Sequence, residues 1–250
     1  MPATPPAKVY LFGTCLVDVF FPQAGIDAIS LLEHAGVEAV FPQAQSCCGQ
    51  PAYSSGYMDE ARRVALAQLD CFPEDWPIVV LSGSCGGMMA HHYPKLFAGD
   101  AANEARVRRF SERVIEFTDF VVNRLGIALA DLGQPEKVVL HTSCAARREM
   151  GTLTTGRALL ARLAGVELVE QDHESECCGF GGTFAVRHPT ISAAMVADKT
   201  RAIKACGAPN LVSADCGCLM NINGALQKQG ERLQGEHIAS FVWRRIGGEA

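Results

Sequence analysis

The chain has 250 residues, 48% of them hydrophobic and 20% charged, with a formal net charge of −5. This is the make-up of an ordinary globular chain of one large or two small domains, long enough to bury a core without disulfide staples. The acidic balance argues against a nucleic-acid partner, and no apolar run reaches the ~18 residues of an integral membrane span.

The opening Met1-Pro2-Ala3-Thr4-Pro5-Pro6-Ala7-Lys8 has no apolar stretch of signal-peptide type, which predicts a cytoplasmic protein. Beyond it, short β-branched runs bounded by turn residues predict buried strands at 9–12, 37–41 and 78–82, and again at 138–141, 167–170 and 210–213. Between them apolar residues recur at helical spacing. Ile26, Ile29, Leu31 and Leu32 make one such face, and Ala61, Val64, Ala65 and Leu69 a second. Leu159, Leu160 and Leu163, then Ile191, Met195, Val196 and Ile203, repeat the arrangement. A helix over 114–125 closes the first series and one over 238–246 the second. Strands alternating with helices predict an α/β fold of two homologous halves, each a small parallel sheet flanked by helices.

Eleven cysteines are the outlying number. In a chain of this length without a secretory N-terminus they point to metal ligation or thiol chemistry, and an odd count cannot pair completely. Their spacing repeats. Cys15, the pair Cys47-Cys48 and Cys85 are answered about 130 residues later by Cys144, the pair Cys177-Cys178 and either Cys216 or Cys218. Flanking residues repeat with them: Val9-Tyr10-Leu11-Phe12-Gly13-Thr14-Cys15 aligns with Val138-Val139-Leu140-His141-Thr142-Ser143-Cys144. The domains are accordingly 1–128 and 129–250, linked through Gly126 to Gln134-Pro135.

These cysteines fall just past the C-terminal ends of predicted strands. Ligand sites form at that edge of a parallel sheet, and helix N-termini there stabilise thiolates. Adjacent cysteines reach one centre only if the backbone turns sharply, which Gly49 and Gly179 permit. Each half then offers four thiols, enough for an iron–sulfur cluster or for zinc. The candidates are Cys15, Cys47, Cys48 and Cys85 in the first half. In the second they are Cys144, Cys177, Cys178 and Cys218, with Cys216 as a further candidate. Cys71 and Cys206, near helix ends, are expected to be bystanders.

Cys47-Cys48-Gly49-Gln50-Pro51-Ala52-Tyr53 and Ser82-Gly83-Ser84-Cys85 resemble the first half of the cysteine-rich CCG-domain family. Cys177-Cys178-Gly179-Phe180-Gly181-Gly182-Thr183-Phe184 and Gly217-Cys218-Leu219-Met220-Asn221 resemble the second, so the likeness covers nearly the whole chain. It is greatest to the lactate-utilisation branch, and more distant to the heterodisulfide reductase B subunit and the glycolate oxidase iron–sulfur subunit. The resemblance implies an iron–sulfur electron-transfer subunit of a multi-subunit oxidoreductase that converts L-lactate, or a similar 2-hydroxy acid, to the 2-oxo acid. It implies two [4Fe–4S] clusters on the eight candidate cysteines, with zinc in one or both halves as the alternative. As partners it implies a ferredoxin-like iron–sulfur subunit and a third subunit of the complex. In the heterodisulfide reductase relative each motif ends in Cys-x-x-Cys and five cysteines hold an unusual cluster. Both endings depart from that here, with Met88 at the last place in the first.

The remaining polar residues carry less. His141, shortly before Cys144, is read first as a structural histidine with satisfied hydrogen bonds, and otherwise as a partner for a sulfur or a substrate carboxylate. Arg147-Arg148 read as a solvated face, or as balancing charge for an anionic cluster, and His91-His92 as exposed and without a role. Gly179-Phe180-Gly181-Gly182 lacks the dinucleotide spacing. No hydride acceptor or general base stands out, so no catalytic residue is assigned. Two other functions fit the cysteines: a zinc-binding structural subunit, and a thiol–disulfide oxidoreductase using the vicinal pairs.

Overall fold

The computed structural model describes residues 5–248. Residues 1–4 of the opening segment, part of the basis for a cytoplasmic location, lie outside the described residues. Eight strands form in chain order: β1 Lys8–Phe12, β2 Glu38–Val40, β3 Ile78–Val80, β4 Val114–Glu116, β5 Glu136–His141, β6 Val166–Val169, β7 Asn210–Ser213 and β8 Gly235–His237. They make two four-stranded sheets ordered β2-β1-β3-β4 and β6-β5-β7-β8, with every neighbouring pair parallel. The two sheets have one topology, as the repeated sequence predicts.

Both faces of each sheet are covered, which is why the middle residues of the central strands are apolar on both sides. Along β1, Val9 and Leu11 point to one core while Tyr10 and Phe12 point to another. Along β5, Val138 and Leu140 face that same first core, and Val139 faces a third. The two sheets therefore share a central core and each has an outer core of its own. Helix packing across the shared core is reciprocal. Pro22–His34 meets Ile238–Arg245 as Thr152–Leu160 meets Phe117–Phe120, and Gly83–Gly87 meets Cys144–Met150 as Cys216–Lys228 meets Thr14–Phe20. The halves are thus related by an approximate two-fold.

Glycine makes one of these approaches possible. A Cβ on Gly83 would lie 2.3 Å from the Ala146 Cβ, and one on Gly87 2.0 Å from Glu149 Oε2. The short, glycine-rich helix carrying Cys85 is a poor helix former by propensity, and close packing on the second half holds it.

The structure corrects the closing segments. Instead of one helix over 114–125, Val114–Glu116 is the edge strand β4, followed by the helix Phe117–Phe120 and a wider turn over Val121–Leu125. Likewise Gly235–His237 adds strand β8 before the helix Ile238–Arg245. Both strands are three residues long and run straight into a helix. Periodicity has no room to register so short a run, and Gly235-Glu236-His237 has no β-branched residue to mark it. Among the described residues no single helix is long and apolar enough to cross a membrane.

Candidate metal centre

The C-terminal ends of both sheets open on one cavity of about 410 Å³. Its wall carries Cys15, Cys47, Cys48 and Cys85 from the first half and Cys144, Cys177, Cys178 and Cys218 from the second. The eight sulfurs lie in two groups. Cys48 Sγ is 3.3 Å from Cys85 Sγ, Cys178 Sγ is 3.0 Å from Cys218 Sγ, and Cys144 Sγ is 4.0 Å from Cys177 Sγ. These separations exceed a disulfide bond of about 2.05 Å, and all eleven cysteines are unbridged.

The vicinal pairs are built alike. Gly49 and Gly179 both adopt φ of +84°, a conformation open to glycine, and the turn points each N–H back at the preceding pair. Gly49 N–H donates to Cys47 Sγ at 3.4 Å and Gly179 N–H to Cys177 Sγ at 3.3 Å. The Cys48 carbonyl accepts from the Tyr93 hydroxyl at 2.8 Å, and the Cys178 carbonyl accepts from Asn221 Nδ2 at 2.7 Å. Thr14, just ahead of Cys15, sits at φ +60°, where a β-branched residue is strained by on the order of 1–3 kcal/mol.

Within each group the thiols compete for protons. In the first, hydrogen bonds from Cys15 and then Cys48 lower Cys47 to about 3, while the same bonds, with burial, push Cys15 and Cys48 well up. In the second, hydrogen bonding to Cys177 and burial push Cys144 up. The hydrogen bond with Cys178 lowers Cys218, but burial together with the charges of Asp215, Cys144 and Cys177 carries it up to about 11. A buried group of four sulfurs cannot lose its other protons unless a cation compensates the charge. Four soft donors converging without a carboxylate among them suit zinc or an iron–sulfur cluster, so the residues fit such a group.

Strand register pairs the outer cysteines. Phe12 lies opposite Val80 in the first sheet and His141 opposite Ser213 in the second. Counting equally far beyond each partner reaches Cys85 and Cys218. Cys216 falls instead at the position of Gly83, is fully buried in the shared core and does not line the cavity. Cys71 and Cys206 also lie off the cavity, their thiols donating to the Ala67 and Ala202 carbonyls of their own helices.

Three polar side chains differ from their sequence reading. His141 is fully buried, and neither ring nitrogen has a hydrogen-bond partner. A ring nitrogen and the sulfurs of Cys178 and Cys218 all lie within 4.8 Å of one another. Burial, with the Lys199 and Arg147 charges, lowers His141 to about 3. The satisfied structural histidine is therefore corrected to an unpartnered one aimed at the second group of sulfurs. His92 is half-buried and pairs with Glu149 Oε1 at 2.8 Å, while His91 Nε2 contacts the Glu149 carbonyl, so this pair bridges the halves. Asp215 and Lys199 were not marked by spacing. Asp215 lines the cavity and accepts from Ser84 N–H across the halves at 3.1 Å. Lys199 is 1% exposed and donates to the His173 carbonyl at 2.7 Å. An acidic residue just ahead of a helix is an available cue for the first; a lysine on an apolar helical face is one for the second.

Residues 9–90 and 138–223 each match the family described as "Cysteine-rich domain". The chain is 43% identical over 235 residues to "Lactate utilization protein A 1" of Bacillus anthracis (strain CDC 684 / NRRL 3495), covering 94% of this chain and 97% of that protein. It is also 43% identical over 239 residues to "Lactate utilization protein A" of Macrococcus caseolyticus (strain JCSC5402), covering 96% and 97%. Among solved structures, a hypothetical protein from Helicobacter pylori superposes with a TM-score of 0.68 at 9% identity, a likeness of fold alone. That alignment covers 99% of this chain and 50% of the other. The duplicated Cys, Cys-Cys-Gly and Cys pattern, its matching geometry in the two halves and these relatives agree: the chain belongs to the CCG cysteine-rich domain family, with the domain present twice.

Proposed function

We propose that this chain is the two-cluster iron–sulfur electron-transfer subunit of a system that oxidises L-lactate, or a similar 2-hydroxy acid, to the 2-oxo acid. The observation that carries this reading is the gathering of eight cysteines, in two matching quartets, on the wall of one cavity. The names of the relatives, "Lactate utilization protein A", support the metabolic setting. Cys15, Cys47, Cys48 and Cys85 would hold one [4Fe–4S] cluster, and Cys144, Cys177, Cys178 and Cys218 the other. Each cluster, when bound, exchanges single electrons. The chain's own residues shape the site. Gly49 and Gly179 turn the vicinal pairs inward and aim an N–H at a sulfur. Leu16, Pro51, Phe180 and Val186 line the cavity with apolar surface. Substrate oxidation would belong to a partner, with a ferredoxin-like iron–sulfur subunit and a third subunit as the expected company.

A second reading has its own support. Sulfur separations of 3.0 to 4.0 Å bracket the roughly 3.8 Å edge of a tetrahedral zinc–thiolate site with bonds of about 2.3 Å. A four-iron cluster would need the four thiolates of a quartet further apart than this. Iron, acid-labile sulfide and zinc counted per chain after anaerobic purification, with an electron paramagnetic resonance spectrum of the reduced protein, separate the two. About eight irons and eight sulfides are expected, falling by half in Cys48→Ser and in Cys178→Ser. Zinc without sulfide would establish the structural reading, and no metal after anaerobic reconstitution would overturn both.

A further inference from the structure

The two quartets have matching backbones but different surroundings. At the end of β1 the first has Phe12, and at the same register in β5 the second has His141. Phe12 is buried in the outer core beside Cys48 and Cys85. His141 is buried beside Cys178 and Cys218 with both ring nitrogens unpartnered. A neutral imidazole carries one N–H, and the sulfurs of Cys178 and Cys218 lie within 4.8 Å of a ring nitrogen.

A second difference lies on the helix behind each vicinal pair. Gly49 packs against Ala61 and Val64, and Gly179 against Ser192 and Met195. The same step along the helix from Val64 to Gln68 takes Met195 to Lys199. Both side chains are buried and both pin the loop before the pair. Gln68 bonds to Ser46, whereas Lys199 donates to the His173 carbonyl. One is neutral and the other is a cation whose charge acts on Cys178 and Cys218. A third difference is the third residue after the leading cysteine: Asp18 follows Cys15, and Arg147 follows Cys144. Arg147 is half-buried with its guanidinium on the Glu174 carbonyl.

The first two exchanges put an imidazole and a cation near the sulfurs of the second site, and the third adds a cation whose charge acts on His141; Asp215, where the first half has Ser82, acts in the opposite sense on Cys218. Reducing a cluster adds one negative charge, which nearby cations and N–H donors stabilise. We propose that His141, Lys199 and Arg147 make the second quartet the higher-potential centre. In the singly reduced protein they would hold the electron at the cluster bound by Cys144, Cys177, Cys178 and Cys218. The step is a one-electron transfer from the first centre to the second, with one oxidised, the other reduced and no atom exchanged. Electrons thus leave the chain from the second half. This rests on the two-cluster reading above.

The test is an anaerobic redox titration of the full chain followed by electron paramagnetic resonance, with three variants that give the second site its first-site counterpart: His141→Phe, Lys199→Gln and Arg147→Asp. The native protein is expected to show two potentials separated by at least a tenfold equilibrium preference, or about 59 mV for one electron. Each variant should lower the upper potential and leave the lower one in place. His141→Phe should also alter the spectrum of the upper centre alone. Arg147→Asp is the least intrusive of the three and keeps the test open should a core variant fold poorly. Two clusters at one potential, or variants that move the lower wave, would overturn this proposal and spare the two-cluster reading. A protein without iron and sulfide would overturn that reading as well.

Discussion

At the scale of single residues, the site depends on two glycines whose surroundings are unequal. A Cβ on Gly179 would stand 2.7 Å from the Ser192 carbonyl oxygen, which is backbone, whereas the nearest atom to one on Gly49 is a Val64 methyl at 3.3 Å. Both positions strain any other residue, because φ is +84°. Gly49→Ala is therefore expected to lose on the order of 1–2 kcal/mol, and Gly179→Ala on the order of 3 kcal/mol or more together with metal from the second half. Denaturant unfolding and metal content per chain check both. Cysteine exchanges divide the same way. Cys218→Ser should release the metal of its half. Cys71→Ser should leave metal content unchanged, and Cys216→Ser should lower stability through its buried position without changing metal content.

At the scale of elements, β4 and β8 end on residues that cap the helices they feed. Glu116 accepts from Thr118 N–H at 2.8 Å and Asp119 N–H at 3.3 Å, and His237 Nδ1 accepts from Ala239 N–H at 3.1 Å. His237 Nε2–H in turn donates to the Leu81 carbonyl of the other half at 2.7 Å. Both side chains are fully buried, and burial shifts them in opposite directions: Glu116 rises from 4.5 to about 7, and His237 falls from 6.5 to about 4. Between 4.5 and 7 the unfolded chain has lost the Glu116 proton and the folded chain has kept it, so stability falls as pH rises. Between 6.5 and 4 the unfolded chain gains a proton on His237 that the folded chain refuses, so stability falls as pH falls. The two slopes oppose each other over a shared window. Glu116→Gln keeps an acceptor for the cap and is expected to gain on the order of 2–3 kcal/mol above pH 7, leaving stability that climbs with pH. His237→Gln should leave stability that declines with pH. Melting temperatures from pH 4.5 to 8 give the sign of each slope. From sequence β4 reads as the start of a helix and β8 does not register at all, because a three-residue edge strand is defined by its neighbour in the sheet.

At the scale of the molecule, the halves share a core and a buried ionic lock. Val9, Leu11 and Phe117 pack in one cluster with Val138, Leu140 and Phe241. Arg245 of the last helix, 1% exposed, donates from Nε to Asp131 at 2.7 Å and from Nη1 to Glu136 at 2.8 Å, tying that helix to the link between halves. Arg245→Met takes the guanidinium from the buried Asp131 and should lower stability by about 3–5 kcal/mol. The shared core predicts that calorimetry records one transition for both halves, since neither half buries its inner face alone. Two resolved transitions would show the halves to be independent folding units.

The division between sequence and tertiary structure runs along the range of the interactions. The duplication, the parallel α/β class and the repeated spacing of the candidate cysteines were legible in the chain, because spacing and hydrophobic period are local properties. What sequence left open was decided by elements far apart in the chain. Strand register made Cys218, rather than Cys216, the counterpart of Cys85. The meeting of the glycine-rich helix Gly83–Gly87 with Cys144–Met150 helps bring both quartets to one cavity. His141 became an unpartnered neighbour of two sulfurs only because β5, the vicinal pair and the helix beginning at Cys216 converge there. No local pattern encodes such a meeting: it is set by how two sheets pack, and that is a property of the assembled core.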